Sequence, residues 1–300
     1  FVRRRFNTMM HRQKSFPARF LLLLSCFLLL SVPLLAEEDL EIEELVEFVD
    51  LDAPVYGDVS WTFPVSLEDL DPDLIRLANK HYLLESGYSA TPLVKVKARN
   101  SDGSNGGVRK YADVTMQLQE DCYHALHEMS EAALEAGVEA GVKRGYRLYL
   151  KSAYRSYQTQ SSMYSSRLKK NKGVDDGYVS MPGASDHQTG LGCDIVSRAW
   201  REKAMNSDFA KTDEAKWMAA NASRFGFILR YPSDKEAITE INFEPWHYRY
   251  VGIPAATYIM ENGLCLEEFH ELLQQAIDEF LTAGGDPRVV DPYIQRSAEN

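Results

Sequence analysis

Pro182-Gly183-Ala184-Ser185-Asp186-His187-Gln188-Thr189-Gly190-Leu191-Gly192-Cys193-Asp194 carries a histidine and an aspartate across a glycine-rich turn, which runs into a short apolar strand over 193–196. A lone histidine is more often a satisfied polar residue than a metal ligand. A second segment changes that weighing. Asn242-Phe243-Glu244-Pro245-Trp246-His247-Tyr248-Arg249-Tyr250 adds another imidazole on a strand-like run. His187, His247 and the Asp194 carboxylate can complete a three-ligand set, and three protein ligands with the fourth position open is what a catalytic zinc requires. Glu244 stands three residues before His247. If Pro245 holds it at the strand edge, its carboxylate can face the metal's water without ligating and pass a proton to a leaving amine.

Outward from these segments the chain alternates helix and strand patterns. Apolar residues at helical spacing predict a long amphipathic helix over 114–142, ending near Gly141. Strand alternation follows over 146–152, a helix over 157–170, and a loop over 177–192. A helix over 212–225 has Thr212 as its N-cap. Strands are expected at 227–231 and 246–251, and two helices over 254–281 broken at Gly263. Nearer the start, 67–96 suggests a short helix and then irregular chain, and 100–107 is turn-rich. There is no βαβ rhythm, phosphate-binding glycine loop or repeat, so the fold class is α+β with a small antiparallel sheet.

Ser185-x-His187-x6-Asp194 together with Glu244-x-x-His247 resembles the VanY-like D-alanyl-D-alanine carboxypeptidases. These are zinc peptidases that share their fold with the LD-carboxypeptidases and the hedgehog signalling domain. The family pattern S-x-H-x-x-G-x-A-x-D is met at Ser185, His187, Gly190 and Asp194, and Gly192 stands where alanine is usual, a change expected to be harmless. Ser152-Ala153-Tyr154-Arg155-Ser156-Tyr157-x-x-Gln160 and Gly226-Phe227-Ile228-Leu229-Arg230-Tyr231-Pro232 are similar to further family signatures, so the resemblance spans about residues 75–262. It implies a hedgehog/DD-peptidase-like α+β fold, helices flanking a small antiparallel sheet that carries the zinc site. It further implies one zinc ion per chain on His187, Asp194 and His247, with Glu244 as general base. Arg155 would engage the substrate's terminal carboxylate or the forming oxyanion, a task suited to a planar, permanently charged fork. Gln160 and Ser185 would line the same pocket.

The activity implied is removal of the C-terminal D-alanine from peptidoglycan stem peptides by a zinc-bound water, with D,D- and L,D-specificity both open. A peptidoglycan endopeptidase on the same scaffold is the nearest rival. A non-catalytic zinc-bearing wall-binding module is disfavoured, since ligands and base are all present. Trp246 reads as core or as a wall of the cleft, and Cys193, next to Asp194, as core. His81, His124, His127 and His270 carry no partner pattern.

The 300 residues hold 33 Lys+Arg against 44 Asp+Glu, a net of -11, which argues against a phosphate-tracking nucleic-acid surface. The charge is uneven. Residues 1–36 contain six basic residues and no acid, which leaves 27 bases against 44 acids, a net of -17, on the remainder. A basic start, an apolar run of about 15 residues, and Ala36 before acids make an export-signal pattern, short of the ~20 a spanning helix needs. The expectation is a signal at 1–36 (an anchor and the sole membrane contact if uncleaved) with Met9 or Met10 as a candidate start. Next come an acidic linker over 37–66, the catalytic domain over 67–282 and a tail over 283–300. The protein is expected outside the cytoplasm, periplasmic or otherwise in the cell envelope. Cys122, Cys193 and Cys265 show no metal-knot spacing and leave room for one disulfide.

Overall fold

The structure, a computed structural model, describes residues 55–56, 59–98, 108–110, 114–295 and 297. The expected signal, most of the acidic linker and the 100–107 loop lie outside the described residues. The strands are β1 (Val55–Tyr56), β2 (Val59–Ser60), β3 (Leu93–Lys95), β4 (Gln117–Gln119), β5 (Leu148–Ser152), β6 (Gly192–Ser197), β7 (Phe227–Leu229) and β8 (His247–Tyr250). The helices are α1 (Glu120–Glu139), α2 (Tyr157–Lys170), α3 (Asp186–Thr189), α4 (Asp213–Asn221), α5 (Glu236–Thr239), α6 (Ile253–Glu261), α7 (Leu266–Thr282) and α8 (Pro287–Val290).

A four-stranded antiparallel sheet, ordered β5-β6-β8-β7, forms the centre. All six residues of β6 are buried, as expected of a central strand covered on both faces. One core joins the sheet to α1 and α4 through Cys122, Leu126, Met129, Ile195 and Met218. A second lies under α6 and α7, where Phe269, Leu273 and Phe280 meet Ile228 and Val251.

The long helix starts later than its apolar spacing predicts. Residues 117–119 are spent on β4, where the Gln119 backbone N–H donates to Gly190 O and its side-chain amide to Thr189 O. The chain must stay extended there to hold the turn before β6. From Glu120 the helix is regular, with Glu120 and Asp121 placed favourably in its first turn. Its buried residues Cys122, Leu126, Met129, Ala133 and Gly137 recur every three or four positions. Gly137 is there for space: a Cβ would lie 2.0 Å from the Tyr146 backbone nitrogen. Propensity alone says Gly137→Ala gains about 0.5–1 kcal/mol, whereas overpacking costs about 1–3 kcal/mol. Because the obstacle is backbone, the clash wins. G137A is expected to lower the denaturation midpoint in urea, and a raised midpoint would contradict this packing.

Two expectations are corrected. The helix expected within 67–96 is only a 3-10 turn, Leu67–Asp69, capped by Ser66 Oγ accepting from Glu68 N. Leu70, Ile75, Leu77 and Ala78 are buried as an amphipathic helix would bury them, but distant side chains satisfy several backbone groups of this segment. Gln295 bonds both the N–H and the C=O of Leu77, Tyr293 Oη donates to Leu67 O and Leu70 O, and Arg249 donates to Leu74 O and Arg76 O. The domain also reaches past 67–282. Trp61, Phe63 and Val65 alternate into the second core, with Trp61 edge-on to Phe280 at 6.0 Å, and Val290 is buried there. The prolines flanking 61–63 made this stretch read as loop, and nothing local marks it as covered by α7.

The expected loop over 177–192 contains the one-turn helix α3, and the helix expected over 212–225 ends as a 3-10 turn over Ala222–Phe225; other expectations coincide more closely. α2 has the predicted bounds, capped by Ser156, and Thr212 Oγ1 accepts from Ala215 N at the start of α4. α6 and α7 break at Gly263. Cys122, Cys193 and Cys265 are free and buried.

Candidate active site

Asp194 and His247 sit directly opposite each other on β6 and β8, so their side chains emerge side by side on one face. His247 Nδ1 lies 3.0 Å from Asp194 Oδ1. α3 delivers the third group from the turn before β6: His187 Nε2 is 3.4 Å from Asp194 Oδ1. The two imidazole rings stand at 85° with centroids 4.8 Å apart. One ligand atom from each residue lies within 4.8 Å of the others, and all three residues are buried. No other such group of three His, Cys, Asp or Glu occurs among the described residues.

The hydrogen bonds assign the nitrogens. His187 Nδ1 contacts the Ala153 carbonyl at 2.7 Å, an acceptor only, so Nδ1 carries the proton and the Nε2 lone pair faces Asp194. That Nε2 is buried without a partner, which an ion between the three residues would supply. Burial pushes His187 down to about 4, so it is a neutral imidazole at neutral pH, the form a metal takes. His247 differs. Burial pulls it down too, but the carboxylates of Asp186 and Asp194 outweigh this and raise it to about 9. Two nitrogens and one carboxylate oxygen suit zinc, and the donor set fits that ion.

Glu244 closes a tight turn into β8, with His247 N donating to Glu244 O. Its carboxylate is 3.6 Å from His247 Nδ1 and stays outside the three-ligand group. Burial pushes its pKa up to about 8. A divalent cation held by His187, Asp194 and His247 would add positive charge beside it and draw that value back toward the operating range of a general base.

Arg155, just before α2, donates from Nη1 to Gln160 Oε1 at 3.0 Å and contacts Met163 Sδ at 3.4 Å. Gln160 in turn donates to Ser180 O at 2.6 Å, and Arg155 N donates to His187 O. Arg155 Nε is buried without a partner. Ser185 precedes α3 without capping it through its side chain, and it lines the same space. Arg155, Gln160, Ser185, Glu244 and the three ligand residues thus line one cleft of about 380 Å³.

Sequence reasoning missed Lys151, Met163, Met205 and Tyr231, which share this lining. Lys151 is the extra residue of a β-bulge between Leu150 and Ser152, and a bulge re-aims a side chain with no trace in the local sequence. Trp246 and Cys193 pack in the first core rather than in the cleft. His124 and His127 face Glu120 and Glu131 on α1 and belong to no ligand group.

The profile of the family described as "VanY: D-alanyl-D-alanine carboxypeptidase" matches residues 115–253, a span holding every residue of this cleft. YodJ of Bacillus subtilis (strain 168) is 34% identical over 205 residues, 68% of this chain and 69% of that protein. The bifunctional D-Ala-D-Ala dipeptidase and carboxypeptidase VanXYC of Enterococcus gallinarum is 35% identical over 133 residues, 44% of this chain and 70% of its own. Among solved structures, the LdcB LD-carboxypeptidase aligns with a TM-score of 0.56 at 35% identity, covering 67% of this chain and 87% of its own.

Proposed function

This chain belongs to the VanY family of D-alanyl-D-alanine carboxypeptidases, and from that footing we propose that it is a zinc enzyme of the cell envelope that removes the C-terminal D-alanine of peptidoglycan stem peptides. The observation that carries the reading is the trio His187, Asp194 and His247 with a non-ligating, buried Glu244 beside it in the cleft that holds Arg155. Zinc, when bound by those three, supplies Lewis acidity that polarises a carbonyl and makes water a nucleophile at neutral pH. Glu244 removes the proton of the attacking water and hands it to the leaving nitrogen. Water and peptide become a shortened peptide and free D-alanine. Arg155, held by Gln160, offers Nε and its outer nitrogen to the terminal carboxylate or to the oxyanion, while Ser185 and Gln160 bound the pocket.

Replacing Arg155 with lysine keeps the charge and loses the fork. Charge-assisted hydrogen bonds contribute about 1.5–3 kcal/mol, so R155K is expected to lower kcat/KM about 10–100-fold with zinc content unchanged. Steady-state hydrolysis of a D-alanyl-D-alanine peptide measures this, and a change below twofold would remove Arg155 from substrate contact.

Export is supported by the basic and then apolar residues 1–36. No helix among the described residues is long and apolar enough to cross a membrane. The test of function is mass spectrometry of tri-, tetra- and pentapeptide stems and cross-linked dimers after digestion with zinc present. Free D-alanine from the tetra- or pentapeptide is the expected product, and the substrate consumed tells the L,D from the D,D bond. Dimers cut into halves with no free D-alanine would instead make the protein an endopeptidase.

A further inference from the structure

We propose that Asp186 is the positioning residue of the metal centre, fixing His247 in the tautomer that turns Nδ1 toward the ion, although it is itself no ligand. The inference rests on the zinc reading above and concerns a residue that the motif leaves as an arbitrary position between Ser185 and His187.

Histidines that hold metals donate their second N–H to an oxygen that fixes tautomer and ring orientation. For His187 that oxygen is Ala153 O. For His247, Nδ1 faces Asp194 at 3.0 Å and Glu244 at 3.6 Å, so Nε2 is the nitrogen turned away from the site. Nε2 is buried and makes no hydrogen bond. It lies 3.7 Å from Asp186 Oδ2. That is too long for a hydrogen bond, but once an ion takes the Nδ1 lone pair, Nε2 is the nitrogen left to carry the proton, and Asp186 is the carboxylate that faces it.

Asp186 is suited to this because each of its oxygens is held by an arginine. It is fully buried, with Oδ1 accepting from Arg249 Nη1 at 2.5 Å and Oδ2 from Arg230 Nε at 2.8 Å. Flanked by two arginines it remains a carboxylate, which can only accept. The arginines are braced in turn: Arg230 forms a two-pronged pair with Glu267 on α7, and Arg249 donates to Leu74 O and Arg76 O. Two acids and two bases close the charge, so the anion beside His247 is held from β8, α7 and the 74–76 segment together. β6 makes room for it as well. Gly192, where the family usually has alanine, admits no side chain, since a Cβ there would meet Asp186 Cβ at 2.8 Å.

A purely structural role for the network is separated by breaking it at its far end. Zinc dissociation constants of the full chain, measured by chelator competition for the wild type, D186N, D186E and E267Q, are set beside each variant's denaturation temperature without zinc. D186N is expected to weaken zinc binding about 10–100-fold, and D186E, which keeps an acceptor-only group, to recover part of that loss. E267Q should lower the denaturation temperature yet leave zinc affinity within about threefold, since the anion beside His247 is retained. Equal weakening by D186N and E267Q, or unchanged affinity in D186N, overturns the inference. Imidazole nitrogen NMR of the zinc-loaded wild type decides the matter even if D186N does not fold: Nε2–H on His247 supports it and Nδ1–H overturns it. A wild type that binds no zinc instead overturns the metal centre, and this inference with it.

Discussion

Glu244→Gln is expected to cut kcat for D-alanine release by about 10²–10⁴-fold, the range ascribed to a general acid–base group. Glutamine keeps the shape of the side chain but replaces one acceptor oxygen with a donor NH2 and removes its ability to take a proton. Because Glu244 lies beside the ligand trio without joining it, zinc content should stay at one per chain. Because the carboxylate is 9% exposed and burial already disfavours its charge, a neutral amide should not destabilise the fold. The variant therefore separates chemistry from structure: kcat falls while zinc content and denaturation midpoint hold. Turnover above about a tenth of wild type would remove Glu244 from the proton-transfer role.

His187→Ala should have a comparably large effect by another route. Two ligands remain where three stood, and the Lewis-acid contribution of several kcal/mol goes with the ion. Activity is expected below about 10⁻³ of wild type. Dialysed protein should hold far less than one zinc per chain, a deficit E244Q does not share. A folding effect accompanies it. The alanine leaves the Ala153 carbonyl without its buried donor, at about 1–3 kcal/mol. Metal analysis beside circular dichroism distinguishes the two losses. Full zinc occupancy in H187A would mean that another residue completes the site.

What the sequence could reveal tracks how local each cause is. α2 was readable to its ends because its cap, Ser156, and its breaker region lie within the same stretch. The candidate trio was readable as a set because α3 with β6, and β8, each carry their polar residues in one short segment, while for Glu244 the spacing from His247 is local and the burial is not. Trp61 and Phe63 lie in a loop, as read, but their burial was not legible because what covers them is α7, some two hundred residues on. Lys151 reaches the cleft through a bulge defined only by pairing with β6. Arg230 and Arg249 carry no local mark of burial, yet both are fully buried, because Asp186 and Glu267 arrive from separate elements to neutralise them. Charge gave a location rather than a specificity. A body with net -17 beyond residue 36 does not attract anionic wall polymers, so the proposed function assigns recognition to Arg155 and an ion held in the cleft.

The central claim is that the His187–Asp194–His247 site makes this chain a metal-dependent D-alanine-releasing carboxypeptidase. It is tested most directly by following free D-alanine from a pentapeptide stem and a tetrapeptide stem through one cycle of chelation and zinc return. The account predicts release from at least one stem by the zinc-loaded protein, loss on chelation, recovery at one zinc per chain, and no recovery in E244Q carrying the same zinc. Undiminished release by the chelated protein, or no release from either stem when zinc is bound, would contradict it.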